Sequence, residues 1–187
     1  MSARFTLSKT PLPGLIIAER KPLGDERGLL ERLYCENELA DLLEGTHVVQ
    51  INRIFTARAG TVRGMHFQRP PHAEIKFVSC VAGSAYDVAL DLRPDSPTFL
   101  CWHGVTLRAG DHKTVVIPEG FAHGLQTLTD GTEILYFHTA PYVAGAEDGI
   151  NATDPSLAIA WPIAITEQSA RDKALPILQG GHMGVRL

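Results

Sequence analysis

The segment Arg63-Gly-Met-His-Phe-Gln68 sets a histidine and a glutamine two residues apart, the spacing that turns both to one face of an extended strand. Ten residues after His66 stands Lys76, in a run that is otherwise mostly apolar. A base and a fixed cation on neighbouring strands are what proton abstraction through an enolate requires. The imidazole takes the proton, and the ammonium holds the charge that develops on oxygen. Each residue also has a bland alternative. His66 could be a hydrogen-bonded histidine of the sheet, and Lys76 a surface lysine paired with Glu74 on the same strand face.

Further chemistry-bearing positions lie downstream. In Ala85 to Arg93, Tyr86, Val88, Leu90 and Leu92 take one face, while Asp87, Asp91 and Arg93 take the other. Facing solvent, the two aspartates are ordinary charge; facing a barrel interior, they need partners such as Lys76 or a histidine. In Glu133 to His138, alternation puts Ile134, Tyr136 and His138 on one face. Tyr136 is then either a core tyrosine with a satisfied hydroxyl or, across a pocket from His66, a proton donor. Pro118-Glu-Gly-Phe-Ala-His123-Gly resembles the second motif of cupins, in which the histidine binds a metal. The first cupin motif would supply His-x-His and a glutamate, where this chain has His66-Phe67-Gln68 and then Lys76. A lysine repels a divalent ion and glutamine replaces histidine poorly, so no metal is expected.

The elements that position these residues read as strands. Turn signals recur at Pro22 to Gly28, Ala59-Gly60, Pro70-Pro71, Gly83, Pro94 to Pro97, Gly110, Pro118 to Gly120 and Gly131. Between them lie short segments rich in Val, Ile, Leu, Phe and Tyr. This pattern predicts an all-β fold, a double-sheet jelly roll with short helical additions; the resemblance set out below implies its cupin-like form, the double-stranded β-helix. Helix is expected at Asn37 to Glu44, stopped by Gly45, and near Ser169 to Ala174. Strict alternation sets Arg63 opposite His66 unless a bulge forms at Gly64 or a second subunit intervenes.

With 187 residues the chain fits one domain, 1–187, with an N-terminal arm and a C-terminal helical tail. A formal net charge of -4 argues against general affinity for nucleic acid or anionic membranes. The apolar run Leu15-Ile16-Ile17-Ala18 is too short for a signal sequence or a membrane span. Cys35, Cys80 and Cys101 lack paired spacing, which suits reduced, partly buried thiols in the cytoplasm.

Together the motifs resemble the dTDP-4-dehydrorhamnose 3,5-epimerase family. The resemblance runs through Arg63-Gly-Met-His-Phe-Gln, Lys76, Tyr86-Asp-Val-Ala-Leu-Asp-Leu-Arg, Ser96-Pro-Thr-Phe and Pro118-Glu-Gly-Phe-Ala-His-Gly. Leu135-Tyr, Asp154-Pro, Trp161-Pro and Ser169-Ala-Arg-Asp172 continue it, so that it spans about Leu15 to Pro176. It implies a metal-free, cofactor-independent cupin-like epimerase that acts on a nucleotide-diphosphate sugar. It also implies a homodimer whose N-terminal strands cross to the partner. By resemblance His66 is the general base, Asp172 the carboxylate that orients it, Tyr136 the proton donor and Lys76 the cation near the C4 oxygen. Arg27, Gln50, Asn52, Arg63, His123, Glu147 and Arg171 fall on positions that bind substrate in the family.

The chain departs from the family pattern at Arg32, where glutamate is common, at Ile51 within Gln50-Ile-Asn52, and at Arg171, which is usually lysine. These changes bear on recognition of base, sugar or phosphate, while the four catalytic positions are intact. Two rivals remain: a cupin 3,4-ketoisomerase acting on similar 4-keto sugars, and a sugar-nucleotide-binding cupin without turnover.

Overall fold

In the computed structural model, which describes residues 4–178 and 184–187, the alternating segments form two antiparallel sheets. Chain order runs β1 (Phe5–Lys9), β2 (Ile16–Arg20), then a small hairpin of β3 (Leu23–Asp25) and β4 (Gly28–Leu30). After a single 3-10 turn and α1 (Ala40–Leu43) come β5 (Gln50–Thr56), β6 (Val62–Gln68), β7 (Lys76–Ala82) and β8 (Ser84–Asp91). Then follow β9 (Trp102–Arg108), β10 (Lys113–Ile117), β11 (Phe121–Thr127), β12 (Thr132–His138), β13 (Glu147–Gly149) and α2 (Ala170–Lys173). One sheet has the order β1-β2-β10-β7-β12-β5 and the other β13-β6-β11-β8-β9. This is a jelly roll: two facing sheets that together form a cup.

The inner faces meet in a core that includes Val78, Val115, Ile117 and Ile134 from one sheet and Ala85, Ala89, Leu107 and Leu125 from the other. Each outer face has its own cover. Leu39 and Leu43 of the short helical stretch lie with Phe77, Val116 and Phe137 behind the six-stranded sheet. The C-terminal segment lays Ile150, Ala152 and Leu157 over Met65, Phe67, Val88 and Leu90. With both faces of its sheet covered, β11 is buried at every position, and its polar members are satisfied inside: His123 by Asp87, Gln126 by the Ile163 backbone and Thr127 by the Arg58 carbonyl.

The expected helix at Asn37 to Glu44 is shorter than read: a 3-10 turn at Glu36–Glu38, then one α turn. Glu44 and Gly45 both take left-handed φ, 49° and 85°, which ends it. The second helix is likewise a single turn within the expected stretch. The strand expected at Ala85 to Arg93 ends at Asp91, whose carboxylate accepts from the Ser96 and Thr98 hydroxyls and from Arg93. All three cysteines are free, but Cys80 is buried and Cys101 exposed, so partial burial describes only Cys35.

Candidate active site

At one end of the cup the inner face turns from apolar to polar. On β7 the inward series is Cys80, Val78, Lys76; on β12 it is Ile134, Tyr136, His138; on β5 it is Ile54, Asn52, Gln50. The registers Tyr136↔Asn52 and His138↔Lys76 align these polar ends. A cavity of about 670 Å³ opens there, and ten of the eleven expected site residues line it. The exception is Arg27, whose guanidinium stands exposed on the β3–β4 hairpin, paired with Asp25 at 2.5 Å.

His66 faces the cavity while Met65 and Phe67 pack outward, as alternation requires. Its Nε2 lies 2.8 Å from Asp172 Oδ1, across 106 residues of sequence. A carboxylate only accepts, so Nε2 carries the hydrogen and Nδ1 keeps its lone pair. Burial holds the imidazole below the ordinary histidine value, although Asp172 pulls the other way; at neutral pH it is uncharged, the form a base needs. Asp172 is itself only 5 % exposed. The Ser169 hydroxyl caps the turn by accepting from the Asp172 N–H at 2.9 Å, and the Gly64 N–H donates to Asp172 Oδ2 at 3.3 Å.

Arg63 reaches the same cavity through a bulge. His123 pairs with His66 and Leu125 with Arg63, so three steps along β6 match two along β11. Gly64 makes this possible: its φ is +109°, and a Cβ there would stand 2.5 Å from Gly124 Cα. Arg63 Nε donates to Thr56 Oγ1 at 3.1 Å. At the rim, Arg171 pairs with Glu147 at 2.7 Å, and Glu147 is aligned with Gln68 by the β13–β6 register.

Tyr136 is buried between two histidines, with His138 stacked at 5.9 Å and His123 edge-on at 5.7 Å. Burial, reinforced by Asp87, raises its hydroxyl far above the ordinary tyrosine value, so it remains a proton carrier at any working pH. Asp87 finds the histidine partner that an inward aspartate needs: His123 Nε2 lies 2.7 Å from Oδ2. Lys76 does pair with Glu74, at 3.2 Å, yet the pair is inside the cavity and not on the surface. Glu74 and His138 therefore belong to the cup although neither was expected as a site residue. For His138 the signal was present, because it shares the face of Tyr136.

Of the departures, Arg32 pairs with Glu38 and Ile51 is exposed on β5; neither lines the cavity. Among the described residues no three His, Cys, Asp or Glu side chains are grouped to share a metal ion. Nor is any helix among them long and apolar enough to cross a membrane.

The jelly roll and the acid–base pairing in its cup put the protein among the cupin-type isomerases. A family profile for dTDP-4-dehydrorhamnose 3,5-epimerase matches residues 9–180. The chain belongs to that family of carbohydrate epimerases. It is 39 % identical over 171 residues to the dTDP-4-dehydrorhamnose 3,5-epimerase of Salmonella typhimurium, covering 91 % of this chain and 93 % of that one. It is 35 % identical to a dTDP-4-dehydrorhamnose 3-epimerase of Streptomyces niveus, covering 80 % of this chain and 72 % of that one. A solved dTDP-6-deoxy-D-glucose-3,5-epimerase of Legionella pneumophila, in complex with dTDP-4-keto-L-rhamnose, superposes with a TM-score of 0.90 at 34 % identity, with 98 % of each chain covered.

Proposed function

We propose that the protein inverts C3, C5 or both in a dTDP-linked 4-keto-6-deoxyhexose, without a cofactor, by removing and returning protons through an enolate. The observation that carries this reading is the meeting of His66–Asp172, Lys76 and Tyr136 in one cavity. His66 Nδ1 takes the proton from a carbon adjacent to the C4 ketone, and Asp172 stabilises the imidazolium that forms. The electron pair moves to the C4 oxygen, where the Lys76 ammonium offsets its charge. Tyr136 delivers a proton to the opposite face of the flat enolate, and that change of face is the inversion. Solvent then reprotonates the tyrosinate and takes the proton from His66. Arg63 and Arg171 supply forks for the diphosphate, with Gln50, Asn52, His123 and Glu147 as further substrate contacts.

The protein acts as a single-domain cytoplasmic enzyme and a homodimer in this reading. Arg27 then enters the cavity of the other subunit. Supporting this, the β3–β4 hairpin exposes Leu23, Leu29 and Leu30, and the edge strand β5 exposes Ile51 and Phe55. The test is incubation with dTDP-4-keto-6-deoxyglucose in deuterated buffer, followed by NMR. Deuterium at C3, C5 or both, with inverted product, is expected. One inverted carbon would match the Streptomyces niveus relative, whose name specifies a 3-epimerase. A 3-keto product would make the protein a ketoisomerase, and no exchange at all would refute the reading.

A further inference from the structure

Lys76, Glu74 and His138 form a continuous chain inside the cup. Glu74 Oε1 lies 3.2 Å from Lys76 Nζ, and Glu74 Oε2 lies 2.7 Å from His138 Nδ1. All three side chains are nearly buried, at 11 %, 7 % and 12 % exposure. On the far side of the ring, Asn52 Nδ2 approaches His138 Nε2 at 3.4 Å. These contacts fix the tautomer. Nδ1–H donates to the acceptor-only carboxylate, and Nε2 accepts from the amide. The face of this ring is stacked on Tyr136, with 22° between the planes.

Register makes the carboxylate necessary. His138 and Lys76 are direct cross-strand partners, so a cation and an ionisable ring project side by side into a water-poor space. Glu74 stands between them and bonds to both. Burial pushes its carboxyl up, but the hydrogen bond from His138 and the Lys76 charge more than offset this, leaving it below the usual carboxylate range. It is therefore ionised throughout the working range.

Resting on the epimerase reading above, we propose that Glu74 and His138 are positioning residues: Glu74 aims the Lys76 ammonium at the enolate oxygen and, through His138, fixes the ring surface that holds Tyr136. Cation and acid are thus tied into one unit across β7 and β12. Neither Glu74 nor His138 exchanges a proton with substrate. The groups facing this unit are Tyr136 on β12, Asn52 on β5 and His66 on β6, whose imidazole feels the Lys76 charge.

The proposal separates two readouts that a packing role would move together. In Glu74→Gln, kcat should fall about 10- to 100-fold, as for loss of one aligned electrostatic group, while KM stays within about threefold. In His138→Ala, inversion should fall about tenfold further than exchange, and His138→Phe, which restores a ring against Tyr136, should recover most of that difference. Unchanged kcat in Glu74→Gln, a kcat loss matched by an equal rise in KM, or equal losses of inversion and exchange in His138→Ala, would overturn the proposal. If Glu74→Gln does not fold, the His138 variants decide alone. In the substrate-free wild type, the ¹⁵N shifts of the His138 ring should report the Nδ1–H tautomer. An Nε2–H tautomer would overturn the proposal whatever the substrate, whereas wild type inert toward the 4-keto sugar with the Nδ1–H tautomer intact would sink only the epimerase reading.

Discussion

Replacing Asp172 by asparagine tests the dyad with little change of shape. The carboxylate sits 2.8 Å from His66 Nε2 and 5 % exposed, so solvent screens the pair weakly. With about 4 Å between charge centres and an effective dielectric of about 20, the imidazolium that forms during proton abstraction loses about 4 kcal/mol of stabilisation. That alone is a loss of about 10³-fold. The amide can also donate to Nε2, which moves the ring hydrogen to Nδ1 and occupies the nitrogen that should act as base, so about 10³- to 10⁴-fold is expected. The pH dependence has a definite sign. Burial is the largest influence on His66 and lowers its pKa, while Asp172 raises it. Without the carboxylate, burial is less opposed, the ring loses its proton at still lower pH, and the acid limb of kcat/KM moves downward. The assay is deuterium wash-in to the 4-keto sugar across pH, with thermal melts to show that the variant is folded. Exchange within tenfold of wild type, or an acid limb that moves upward, would refute the role assigned to Asp172.

Tyr136→Phe should retain part of the proton exchange while inversion falls about 10²- to 10⁴-fold, scored by comparing deuterium content with product stereochemistry. Co-expressed Arg27→Ala and His66→Ala chains should regain activity that neither variant has alone, because a mixed dimer holds one cavity with both native residues. A purified heterodimer without activity would refute delivery of Arg27 to the partner's cavity, and a fully active Arg27→Ala homodimer would place Arg27 outside the active site. Gly64→Ala should destabilise the protein by about 3 kcal/mol or more in urea titration, since it adds strain at φ +109° to a clash 2.5 Å from Gly124 Cα.

Local rules carried much of the reading. Alternation fixed which residues of β6, β8 and β12 share a face, and it set His66 with Gln68 against Met65 with Phe67. Gly45 marked a helix end, and Ser169 marked the turn that presents Asp172. These features depend on backbone geometry within a few residues, so short windows of sequence contain them. The motif resemblance added the family, which no periodicity could name.

What sequence alone determined, then, was the strand content, the face on which each side chain lies, and the family to which the motifs belong. Tertiary structure decided which of those faces meet. It brought Asp172 to His66 across 106 residues, gave the inward Asp87 the ring of His123, and buried the Lys76–Glu74 pair, for which strand alternation allowed a surface equally well. It turned Arg63 inward through one extra residue in β6 and left Arg27 outside its own cavity. The physical reason is that period-two patterning specifies orientation relative to a strand, whereas bulges, sheet order and closure of the cup follow from packing between segments distant in the chain.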